Sequence, residues 1–172
     1  MRNYFIYQYE DVVSSKAKQR VTVLFVHQTK IVSQNELAQE LNIFFQEHSI
    51  TDKLVVLVPK YLESSSLEYF KSGRETTFQR VPGKSADYFD KCLIIYDYNA
   101  DGSFSLVNGK NPNNETKFIA HLLRSGSAII FKNNGGLVES TPDHHFVFPS
   151  NKHCSKFIRT GNVLINQSEI FF

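Results

Sequence analysis

Four stretches of the chain are apolar almost without interruption: residues 20–27 (RVTVLFVH), 54–58 (LVVLV), 92–96 (CLIIY) and 128–131 (AIIF). Short runs of this kind, bounded by polar residues, fit strands buried on both faces of a sheet. The opening residues MRNYFIYQYE read as a further strand, and Pro59, which offers no ladder donor, ends the run at 54–58. Between the runs the apolar period changes from that of a strand to that of a helix. Ser33-Gln34-Asn35-Glu36 has capping-box spacing: the Ser33 hydroxyl can accept from the Glu36 amide while the Glu36 carboxylate reaches back. Leu37, Leu41, Phe44 and Phe45 follow at helical spacing, with Gln39, Glu40, Gln46 and Glu47 left for solvent, so a helix is expected to run to His48 or Ser49.

A weaker box, Ser65-Ser66-Leu67-Glu68, predicts a short helix stopped at Gly73, followed by a polar loop over residues 74–87 with a Pro82-Gly83 turn. Asn99-Ala100-Asp101-Gly102 and the alternation from Ser103 to Val107 predict a hairpin partner for the strand at 92–96. Residues 115–125 place Phe118, Ile119, Leu122 and Leu123 on one helical face, with Gly126 as the C′ residue and 128–131 as the next strand. Asn133-Asn134-Gly135-Gly136 is the clearest linker, and it divides an expected α/β domain over 1–135 from a hairpin segment over 136–172. The alternation as a whole predicts an α/β, or α+β, fold: a single compact domain of strands and amphipathic helices with a C-terminal β-hairpin appendage.

Composition alters this picture in few places. With 41% hydrophobic and 21% charged residues, the 172-residue chain can fill one core, which excludes a disordered or fibrous chain. Fifteen Phe and eight Tyr against no Trp point to aromatic and β-branched packing, which favours strands. A net charge of +2 is too small to argue for a nucleic-acid partner through bulk electrostatics. No apolar run reaches the ~18–20 residues of a membrane span. The first residues lack the features of a signal peptide, so a cytoplasmic address is expected, with Cys92 and Cys154 as free thiols.

Candidate chemistry concentrates in the segment from His144 onward. A strand at 145–148 is closed by Pro149 and the polar turn Ser150-Asn151-Lys152-His153, with β-capable residues resuming at Phe157 and Ile158. Such a tip, followed by Arg159-Thr160-Gly161-Asn162, offers cations, hydroxyls and an amide to a phosphate or sugar. The run PSNKHCSKFIRTGNVL is similar to a P-S-G-K-H-x-x-x-F-x-R-T-x-N-V-L segment of phosphoribosyltransferase-like proteins of bacterial defence and conflict systems, including those paired with retrons. These in turn resemble orotate phosphoribosyltransferase, where a K-S-G-x-x-S-x-x-F-type hairpin precedes the nucleotide-binding core and covers the active site. The resemblance implies that Ser150, Lys152 and His153 lie at a hairpin tip near a nucleotide or phosphoribosyl ligand, that Phe157 faces the base, and that Arg159, Thr160 and Asn162 orient the strand leading to the core. Asn151 stands where that family prefers glycine, a mild departure because Asn tolerates positive φ. The resemblance says nothing of residues before Gly136.

Other constellations are weaker. Asp97-x-Asn99-x-Asp101-Gly102 has the spacing of a calcium loop, but Asn108 at its twelfth position cannot supply a bidentate carboxylate, and a plain hairpin turn explains the same residues. Phe70-Lys71-Ser72-Gly73-Arg74 matches the orotate-enzyme hairpin locally but closes an expected helix. His144, His145, His153 and Cys154 fit no usual zinc spacing, and nothing identifies a base for Cys154, so neither a metal nor another cofactor is expected. The acid pair and Thr-rich loop of a phosphoribosyl-diphosphate site are also missing, so catalysis by this chain alone is not expected. Residues 166–172 begin like a capped helix and stop on three apolar residues, as in a fragment or half of a split protein whose core lies elsewhere. The alternative expectation is a protein-interaction module whose terminal hairpin is structural.

Overall fold

The computed structural model describes residues 4–14, 17–26, 34–48, 51–60, 91–143 and 146–163. The chain divides into two compact units, Met1–Glu115 and Thr116–Phe172. The division therefore falls at the start of a long helix, and the glycine pair at 135–136 lies inside the second unit.

The first unit is an α/β sheet of five strands in the order β1 (Tyr4–Ser14), β2 (Ala17–Val26), β3 (Lys53–Pro59), β4 (Leu93–Tyr98), β5 (Phe104–Asn108). β2, β3 and β4 run parallel, while β1 and β5 pair antiparallel at the two edges. The apolar runs occupy the interior positions, and every residue from Leu54 to Val58 is fully buried, as a strand covered on both faces requires. Register aligns Leu24 with Val56 and Val56 with Ile95. On this face the core includes Tyr4, Val26, Leu54, Val58 and Leu93, joined by Leu41 of helix α1 (Gln34–Glu47), with Ile6, Phe45 and Val107 partly buried against it. Gln39, Gln46 and Glu47 are exposed, as the helical spacing predicts.

Polar groups fix the start of β3 against the middle of β2. The Thr22 amide donates to the Thr51 hydroxyl oxygen (3.0 Å), and that hydroxyl lies within reach of the Arg20 and Lys53 carbonyls. The Arg20 amide donates to an Asp52 carboxylate oxygen (2.8 Å), and the Asp52 amide returns a bond to the Arg20 carbonyl (2.9 Å). Beyond β5, Gly109 holds φ at 98°, and a Cβ there would press on the backbone at Leu93 and Ile94.

The second unit is dominated by helix α2 (Glu115–Asn133), which starts at the division between the units. Two expectations are corrected here: Gly126 does not end the helix, and residues 128–131 are helical rather than a strand. Phe118, Leu122, Gly126 and Ile130 are buried at four-residue intervals, so the apolar row that starts the helix continues past Gly126. Burial of Ile130 along that row outweighs the modest helix propensity of β-branched residues. The stop comes at the glycine pair. Gly135 takes φ 64°, its amide donates to the Lys132 carbonyl (3.2 Å), and the Gly136 amide donates to the Phe131 carbonyl (2.7 Å), the bond pattern of a Schellman cap. Two small antiparallel ladders follow, β6 (Leu137–Glu139) with β9 (Lys156–Ile158) and β7 (Phe146–Val147) with β8 (His153–Cys154), and then the one-turn helix α3 (Thr160–Val163). Among the described residues no helix is long and apolar enough to cross a membrane. The Ser33 cap, the helix and loop expected over 65–87, and residues 166–172 lie outside the described residues.

Candidate ligand-binding hairpin

The hairpin formed by β7 and β8 closes through a bond from the Phe148 amide to the Lys152 carbonyl (2.9 Å), leaving Pro149, Ser150 and Asn151 as a three-residue loop. The Asn151 amide donates to the Phe148 carbonyl (2.9 Å), and Asn151 itself is left-handed with φ 58°. Three-residue hairpin loops need a left-handed residue at this place, which is why glycine or asparagine serves here. The tip is tighter than the sequence suggests. Its return strand starts at His153, and Phe157 and Ile158 pair instead with Val138 and Leu137 on the other ladder. Ser155 separates the two return strands, and its carbonyl accepts the Ser140 amide (2.7 Å).

Ser150, Lys152 and His153 are all exposed at or beside the tip, and His153 pairs across the ladder with Val147. Phe157 is 40% exposed and stacks on Phe146, with ring centroids 5.4 Å apart. This aromatic pair joins the two ladders at the base of the hairpin rather than at its tip. Arg159 is exposed, and its amide donates to the Gly136 carbonyl (2.6 Å), which anchors the backbone just past β9 to the end of α2. Thr160 opens α3 and is exposed, and Asn162 lies within that turn. The sequence-predicted residues therefore form two stations on separate ladders, Ser150–Lys152–His153 at the tip and Arg159–Thr160–Asn162 beyond β9.

The cations at these stations differ from the one between them. Lys156 pairs with Glu139 at 2.8 Å, and its hydrogen bond and charge hold the Glu139 carboxyl below the usual carboxylate range. Lys152 and Arg159 make no ion pair among the described residues. Arg159 can present a fixed fork to phosphate oxygens and Lys152 a point charge. Sequence reasoning missed the apolar surroundings: Val147 (52%), Phe148 and Ile158 (56%) are exposed large side chains flanking the cations. Strands of two or three residues carry too short an alternation to reveal which side faces water.

The calcium-like spacing resolves as the β4–β5 turn. The Asn99 amide donates to the Ser103 carbonyl (2.9 Å), the Ser103 amide donates to Asp101 Oδ1 (2.8 Å), and Gly102 takes φ 81°. Bonding to Ser103 holds the Asp101 carboxyl below its ordinary value. Among the described residues no three His, Cys, Asp or Glu side chains gather as a metal site, and His144 and His145 lie outside those residues. No protein-family model, curated protein or solved structure matches the chain.

Proposed function

We propose that the hairpin and the residues after β9 serve as a hood over a phosphate-bearing nucleotide or phosphoribosyl ligand, in a phosphoribosyltransferase-like defence protein. The observation that carries this reading is the exposure of Lys152 and Arg159 without an acidic partner among the described residues, while Lys156 between them is paired. Retaining a solvated, uncommitted cation on each side of an aromatic pair suits a ligand with anionic and planar parts. The left-handed turn at Asn151 adds to the support, because it meets the backbone requirement of the glycine in the resembling segment. Under this reading the chain binds but does not turn over, since it lacks the acid pair and Thr-rich loop of a diphosphate site.

The test is Arg159→Ala in the full chain, titrated with AMP and with phosphoribosyl diphosphate. A hood predicts binding weakened about tenfold, the size of one charge-assisted hydrogen bond, at a nearly unchanged melting temperature. Lost stability with binding intact in the folded fraction rules the ligand role out. The exposed Val147, Phe148, Phe157 and Ile158 favour a second reading, a protein-interaction module, in which the same substitution leaves nucleotide binding undetectable before and after the change.

A further inference from the structure

Asp97 is the one acidic side chain among the buried polar and charged residues described, only 8% exposed, and its Oδ1 accepts no hydrogen bond among the described residues. It occupies the carboxyl end of β4, in register with Val58 of β3 and Ser105 of β5. Strand alternation puts it on the face of Leu93 and Ile95, the face that carries Leu41 of α1. Its neighbour Tyr98 takes the opposite face, where its hydroxyl donates to the Val26 carbonyl (2.9 Å) at the end of β2. The Lys60 amide, just past β3, donates to the Tyr98 carbonyl (2.8 Å). The ends of all three parallel strands are thus tied together around a buried acceptor, at the end of an α/β sheet where ligands bind.

A buried carboxylate oxygen with no donor costs stability, and a bound ligand that supplies the donor offsets that cost. Val58 beside it offers no polar group, and no other carboxylate or imidazole joins it to make a three-ligand metal site among the described residues. A low-dielectric setting with one acceptor-only anion is best complemented by a donor that also carries positive charge. We propose that Asp97 anchors a small-molecule site at the carboxyl end of the sheet that takes a primary ammonium group. This site belongs to the first unit and does not depend on the hairpin reading.

The test uses methylammonium chloride on the full chain, with tetramethylammonium chloride at equal ionic strength as a cation that has no N–H to donate. The site predicts a saturable displacement of the Asp97 carboxyl carbon resonance by methylammonium and none by tetramethylammonium. Asp97→Asn removes the response of the melting temperature to methylammonium, and in buffer alone it melts about 2–4 °C above the wild type, because a neutral amide is less costly to bury. No saturable displacement, or an equal one with tetramethylammonium, overturns the proposal. The resonance titration needs only the wild-type chain and so decides even if the variant fails to fold.

Discussion

Asn151 shows how one residue ties sequence to local structure. Its φ of 58° is a conformation that glycine adopts freely, asparagine tolerates and a β-branched residue resists. Asn151→Gly is expected to leave the melting temperature within a degree or so, whereas Asn151→Val should cost about 1–3 kcal/mol in urea unfolding. Equal stability of the two variants would show that the loop does not hold this residue left-handed. The position stood out in the sequence as a departure from a glycine pattern, but its left-handed backbone became visible only with the Phe148–Lys152 closure. Thr51 was not legible at all, because the Thr22 amide it satisfies is remote in the chain. Thr51→Val should cost about 1–3 kcal/mol by leaving that buried donor unpaired. Burial, more than any neighbour, raises the hydroxyl pKa of Tyr7, Tyr9 and Tyr96 above the ordinary value near 10. Groups raised in this way contribute fully below pH about 10 and lose that contribution as pH rises further, so denaturant midpoints should fall between about pH 9.5 and 11. A flat profile over that window, with no delay in tyrosinate absorbance relative to the unfolded chain, would contradict the burial of these rings.

Elements were legible where periodicity was long and ambiguous where it was short. Three of the four apolar runs are interior strands, and α1 begins and ends where its pattern predicts. The fourth, at residues 128–131, has four apolar residues and no period of its own. Only the row Phe118, Leu122, Gly126, Ile130, traced across the glycine, reveals that the helix continues. Hydrogen exchange should therefore show the amides of residues 127–131 protected as a continuous run. Protection alternating along that stretch would indicate a strand. The helix stop is equally specific: Gly135→Ala should cost about 1 kcal/mol, since alanine at φ 64° is strained. The short ladders of the second unit could not be paired from sequence, because β8 and β9 are separated by a single serine and either could have answered β7.

At the scale of the whole molecule, the chain divides at Glu115 and Thr116 into a covered mixed sheet and a helix with two small ladders. Limited trypsin digestion should cut after Lys110, in the exposed stretch before α2, sooner than after Lys132 in the last turn of that helix. Earlier cleavage at Lys132 would return the boundary to the glycine pair. The first unit offers a buried carboxylate at the carboxyl end of its strands, and the second offers exposed cations on a tight hairpin and beyond β9. Those cations are the proposed ligand contacts, and amide chemical-shift mapping of the full chain during titration with phosphoribosyl diphosphate shows whether a ligand reaches them. The hood reading predicts saturable shifts at Ser150, Lys152, His153, Arg159 and Thr160 that shrink when Lys152 or Arg159 is replaced by alanine. Shifts absent from those five residues at saturating ligand, or confined to the first unit, would contradict it.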